Sequence, residues 1–133
     1  MVNKGRVQRK LIVMLGVILM MAFSCVRAGG RTIRAGDAGE EIELRKGHTL
    51  AVSLAGNPST GYTWEAVELD ETVLRQIGEP SFKPESKKVG APGEQIIRFR
   101  AVGEGSTTLR LVYYRPWEDV EPARTFSVDV IVY

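Results

Sequence analysis

The chain has 133 residues, with 18 basic and 16 acidic side chains and a net charge of +2. Four of the basic residues, Lys4, Arg6, Arg9 and Lys10, and none of the acidic ones fall in residues 1–24, so the remainder carries 14 basic against 16 acidic side chains, net −2. That balance removes the electrostatic case for nucleic-acid binding, and a single cysteine, Cys25, excludes a disulfide framework.

The basic start is followed by an apolar run from Leu11 to Phe23, interrupted by Gly16 alone. This is the layout of a cleaved export signal over residues 1–24, and the run is short for a permanent membrane span. Cys25 comes directly after Ser24, which resembles a bacterial lipoprotein signal, with Cys25 as the site of lipid attachment; Ala22 stands where such signals usually have Leu. A competing cleavage after Val26-Arg27-Ala28 releases a soluble protein. Lipid attachment gives the lone cysteine a role, and the expected location is the periplasm or cell envelope, lipid-anchored or else secreted. Residues 25–38, rich in Gly, Arg and Ala and without periodicity, read as a flexible tether.

From Glu41 onward apolar residues alternate with a period of two, the pattern of strands with one face in a core and one in water. Expected strands cover Glu41–Leu44, Leu50–Leu54, Tyr62–Val67, a short piece near Phe82 ended by Pro84, Gln95–Val102, Ser106–Tyr114 and Ala123–Tyr133. Asp70 to Ile77 is ambiguous, since Val73, Leu74 and Ile77 fit a short helical turn capped by Asp70. About seven short strands between Gly- and Pro-containing turns predict an all-β, immunoglobulin-like sandwich over residues 39–133. At 109 residues from Cys25, the chain suits one domain that buries roughly 65% of its unfolded surface.

Strands that run alternately up and down place the second, fourth and sixth connections at one end. Those connections hold Asn57-Pro58-Ser59-Thr60-Gly61-Tyr62, Gly90-Ala91-Pro92-Gly93 and Arg115-Pro116-Trp117. Pro58 restricts both itself and Asn57, and Gly61 can adopt a positive φ, so the first loop is stiff before any partner arrives. Such pre-ordering lowers the cost of binding and points to a protein-binding surface. Trp117, beside a proline in a charged loop, is poor core material. Trp64 reads as the core tryptophan, whereas Tyr62 fits either the core or direct contact. Arg115 reads as shaping its own loop through Glu118 or Asp119 in preference to contacting a partner. His48, the single histidine, falls in a turn at the opposite end and reads as an exposed residue without function. No spacing of Asp, Glu, His or Cys suggests a metal site or a nucleophile with its base, so neither a cofactor nor an enzyme is expected.

These three loops resemble the chagasin-type inhibitors of papain-like cysteine peptidases. That family is marked by an Asn-Pro-Thr-Thr-Gly-Tyr or Phe loop, a Gly-rich second loop and an Arg-Pro-Trp third loop. The similarity covers the chain from Glu40 to Tyr133. It implies an immunoglobulin-like fold and reversible, non-covalent inhibition by three loops that enter the peptidase cleft, by a monomer without cofactor. By resemblance, Thr60 lies nearest the enzyme's thiolate, with Asn57 and Gly61 holding the turn. Residues Gly90 to Gly93 run along the cleft, and Trp117 rests on an apolar wall with Pro116 restricting its loop. Two departures stand out: Ser59 replaces the first Thr, and Pro92 removes a backbone donor from the second loop. The competing reading is an exported adhesion or ligand-binding module that uses the same loops on another partner.

Overall fold

The computed structural model describes residues 29–133; the expected signal, Cys25 and the alternative cleavage site after Ala28 lie outside the described residues. Among the described residues nine strands form two packed sheets: β1 (Gly30–Arg34), β2 (Glu41–Leu44), β3 (Thr49–Gly56), β4 (Thr63–Glu68), β5 (Leu74–Gln76), β6 (Ser81–Pro84), β7 (Gly93–Ala101), β8 (Gly105–Tyr114) and β9 (Arg124–Val132). One sheet has the order β1-β3-β7-β5, with β6 also on β7; the other has the order β2-β9-β8-β4. The expected all-β sandwich is present, and its strand boundaries fall within a few residues of the alternating runs.

The alternation produces the core directly. In the antiparallel β3–β7 pair, Leu50 faces Phe99 and Val52 faces Ile97 on the inner side. In β8–β9, Leu109 faces Val128 and Leu111 faces Phe126. All eight are buried. Phe99 is among the largest fully buried side chains, and truncating a residue of this kind to alanine costs roughly 3–5 kcal/mol.

Two strands depart from the sequence reading. Residues 25–38 read as a tether, yet Gly30–Arg34 forms β1, parallel to β3, and buries Ile33 against the core. Ala35–Asp37 then makes a 3₁₀ turn that leads into β2. The ordered fold therefore starts ahead of residue 39. The second addition is β5. Asp70 does cap a turn, its carboxylate accepting from the Thr72 amide (2.9 Å) and hydroxyl (2.6 Å). The chain then extends instead of continuing as a helix, and Leu74 drops into the core opposite Ala101.

Both β5 and β6 are antiparallel to β7 and occupy successive halves of the same edge. They act as one interrupted strand, so the extra element does not reverse the chain direction. The end of β3 (Gly56) is therefore level with the end of β6 (Pro84) and the start of β7 (Gly93). The start of β4 meets the end of β8 and, through it, the start of β9. The connections 57–62, 85–92 and 115–123 share one pole.

Candidate functional site

At that pole the first loop is a 3₁₀ turn, Pro58–Thr60. Asn57 precedes it in an extended conformation, and its side-chain oxygen accepts from the Ser59 amide (3.1 Å) and hydroxyl (2.6 Å). This is N-capping with Pro in the first helical position, both local sequence preferences. Thr60 donates its hydroxyl to the Asn57 carbonyl (2.6 Å). Gly61 ends the turn at φ +82°, in the left-handed region.

The loops are bonded to one another by side chains. Asn57 Nδ2 donates to the Gly90 carbonyl at 3.1 Å, tying the first loop to the second. Arg115 Nε donates to the Thr60 carbonyl at 2.9 Å, tying the third to the first. Arg115 also pairs with Glu118 at 3.0 Å and lies 4.4 Å above the Tyr62 ring. It is thus the loop-shaping residue expected from sequence, with an added bond to a residue 55 positions away. Trp117 is 70% exposed, and its indole lies across Gly61: a Cβ there would sit 2.2 Å from Trp117 Cη2. Gly61 is required twice, for its φ and for the space the indole fills.

Support comes from beneath. Tyr62 is half-buried, packs against the core and stacks on Tyr113 with centroids 5.1 Å apart. Tyr113 accepts the Asn57 amide on its hydroxyl at 3.0 Å, and Arg124 lies 4.5 Å above its ring. Trp64 is buried as expected and donates Nε1 to the Ala55 carbonyl at 3.0 Å. Gln95 on β7 clamps the edge of β4, its amide bonded to both the Trp64 N–H (3.0 Å) and the Trp64 carbonyl (3.1 Å). Next to Arg115, the Tyr114 hydroxyl donates to Glu65, which raises the phenol pKa.

Of the residues singled out in sequence, Asn57, Pro58, Ser59, Thr60, Gly61, Tyr62, Gly90, Ala91, Pro92, Arg115, Pro116 and Trp117 come together at this pole. Gly93 does not belong to the loop surface. It opens β7, is buried, and a Cβ on it would fall 2.1 Å from the Lys83 carbonyl, so its glycine serves close strand pairing. Pro92 closes the second loop, its carbonyl accepting from the Glu85 amide at 2.9 Å. His48 is at the opposite pole but half-buried, with its ring against Gly29, not exposed as expected. The sequence reading passed over Tyr113 and Gln95, which support the loops, and the exposed Val89 and Val120 within them. For the two valines the signal was present: apolar residues in loops that have no core to enter.

Among the described residues no group of three or more His, Cys, Asp or Glu side chains could hold a metal ion. The pole offers apolar tips on a bonded frame, with no nucleophile paired to a base.

Known proteins resemble this chain in sequence and in fold. Residues 43–130 match the chagasin family peptidase inhibitor I42. Amoebiasin-2 of Entamoeba histolytica is 33% identical over 87 residues, which is 62% of this chain and 69% of that protein. Chagasin of Trypanosoma cruzi is 26% identical over 83 residues, 59% of this chain and 76% of that one. The crystal structure of a cysteine protease inhibitor from Entamoeba histolytica superposes with a TM-score of 0.70 at 25% identity, over 79% of this chain and 96% of that one. With fold and sequence match in agreement, the chain belongs to the chagasin family of peptidase inhibitors and is not an enzyme.

Proposed function

We propose that the three loops enter the active-site cleft of papain-like cysteine peptidases and inhibit them reversibly, without a covalent bond. The observation that carries this reading is the cross-bonded pole, with Asn57 holding Gly90, Arg115 holding Thr60, and Trp117 exposed on Gly61. A cysteine peptidase attacks a carbonyl held against its sulfur and aligned for addition. In the first loop the carbonyls of Asn57, Pro58 and Thr60 already accept hydrogen bonds from within the inhibitor. The loop fills the space over the thiolate while its peptide groups are turned to its own frame, so it blocks the nucleophile and escapes cleavage. Thr60 is the residue assigned to the thiolate. Loop Gly90 to Pro92 follows the cleft with little side-chain bulk, and Trp117 anchors on an apolar wall. Little ordering remains to be done on binding, which favours affinity.

The same reading places the chain outside the cytoplasm, exported by residues 1–24 and anchored by lipid at Cys25, with cleavage after Ala28 as the route to a released form. The basic start and the apolar run before Cys25 support it. Intact mass of the protein extracted from membranes distinguishes the two.

An inhibition panel tests the function. Nanomolar inhibition of papain and a cathepsin, recovery of activity on dilution and no effect on serine peptidases are expected. Absence of inhibition across several papain-like enzymes would refute the reading and favour the adhesion module.

A further inference from the structure

The two outer faces of the sandwich carry opposite charge. On the five-stranded sheet the register aligns Arg34, Arg75, Lys83, Arg98 and Arg100 on the outer side, with Glu94 as the acid among them. On the four-stranded sheet Glu41, Glu43, Glu65, Glu68 and Asp129 share the outer side with Arg110. None of the five cations is ion-paired among the described residues. Arg98 donates to Ser81 at 3.2 Å, and Glu94 accepts from Ser53 at 2.8 Å. Arg75 stands directly opposite Arg100, a like-charge pairing that costs stability in isolation. Between β1 and β7 the same face holds Thr32, Thr49, Ala51 and Ser53. These side chains are short, so the arginines reach outward from a flat surface.

We propose that this face of the five-stranded sheet docks on a bilayer rich in anionic lipid headgroups. β1, the edge strand of this sheet, begins at Gly30, five residues after Cys25. Five residues span at most about 17 Å. A chain anchored at Cys25 therefore keeps the start of this edge strand within that reach of the membrane, and the cationic face of its sheet is the one complementary to anionic headgroups. The inhibitory loops are at the end of the sandwich and not on this face, so membrane contact and peptidase contact do not compete. The inference rests on the export reading only for bringing the chain to a bilayer.

The test uses the mature chain as isolated from producing cells, with its amino terminus identified by intact mass, which tests the export reading separately. A thiol is introduced by Thr32→Cys on the cationic face or by Thr125→Cys on the acidic face, and its reaction with a membrane-impermeant maleimide is timed. The vesicles are phosphatidylglycerol–phosphatidylcholine mixtures or phosphatidylcholine alone. With the anionic vesicles, labelling of Thr32→Cys should slow at least fivefold while Thr125→Cys labels at an unchanged rate. The slowing should vanish at 1 M salt and in the Arg75→Gln/Arg98→Gln/Arg100→Gln variant, each lost cation weakening attachment by roughly fivefold. That variant should inhibit papain normally, which confirms that it is folded. Equal labelling rates on the two vesicle types, or protection that survives loss of the three arginines, overturns the proposal. Protection of both thiols without vesicles, growing with protein concentration, would instead mean that the cationic face stacks on the acidic face of a second copy, and also overturns it.

Discussion

The two poles of the sandwich are closed by different means. At the pole away from the loops most ties between turns run through backbone, the exception being the Asp70 turn, whose N–H donates to the Thr107 hydroxyl at 2.8 Å. Gly47 N–H donates to the Ala101 carbonyl, Ala101 N–H to His48, Lys46 N–H to Tyr133, and both Val102 and Gly103 N–H to Val73. Any sequence of the right local shape could make those bonds. At the loop pole the ties run through side chains: Asn57 to Gly90, Arg115 to Thr60, and Tyr113 to Asn57. Such bonds require particular residues far apart in the chain. Changes at one pole should therefore cost stability, and changes at the other should cost inhibition.

The largest separation is expected from Trp117→Ala. Loss of an exposed aromatic anchor of this kind typically removes about 2 kcal/mol or more of binding, roughly 30-fold in the inhibition constant. The thermal midpoint should barely move, because the indole contributes nothing to the core. A large fall in the midpoint with inhibition retained would reverse the assignment of this pole. Arg115→Ala comes next. It releases Thr60, uncovers Tyr62 and leaves Glu118 unpaired, and the inhibition constant should rise about tenfold. Arg115→Lys should recover only part of it, because an ammonium lacks the planar fork that serves two acceptors.

The opposite pole supplies the counterpart. Gly47 has φ +89° with open space where a Cβ would stand. Gly47→Ala meets backbone strain alone, about 1 kcal/mol, which lowers the thermal midpoint of a domain this size by about 4–8 °C. Its inhibition constant should equal that of the parent, and a change there would show that the poles are coupled. The smallest effect belongs to Asp70, whose pKa is lowered mainly by the Thr72 hydroxyl and then by the Thr72 amide. Folding favours the charged carboxylate, so its contribution is complete above the usual aspartate range, roughly pH 4, and is lost as pH falls through the lowered folded value. Asp70→Asn should lower the thermal midpoint slightly at pH 7 and flatten the acid limb, so that the difference from the parent shrinks as pH falls below 4.

The contrast between the poles also explains what could be seen in the sequence. Leu50, Val52, Leu109, Leu111, Val128 and Val130 announce their strands because each alternates with a polar neighbour over a long run. β1 offers one buried residue, Ile33, on a parallel edge strand with no hairpin turn to mark it. β5 offers only Leu74, directly after an aspartate-capped turn that equally suits a helix. The gathering of the three loops was legible because it depends on chain direction alone, and β5 and β6 run the same way. The bonds that lock the loops were not. Arg115 and Thr60, or Asn57 and Tyr113, carry no local signal of one another, and only the completed register brings them within reach. Gly93 shows the converse, a glycine in a glycine-rich loop whose purpose is strand contact with Lys83.

The most direct measurement is the rate at which iodoacetamide alkylates the active-site cysteine of papain in the presence of increasing inhibitor. The account predicts protection that becomes complete at one inhibitor per enzyme, is lost on dilution, and weakens in parallel with inhibition in Trp117→Ala. A thiol that stays fully reactive while peptide hydrolysis is blocked would contradict placement of the first loop over the nucleophile.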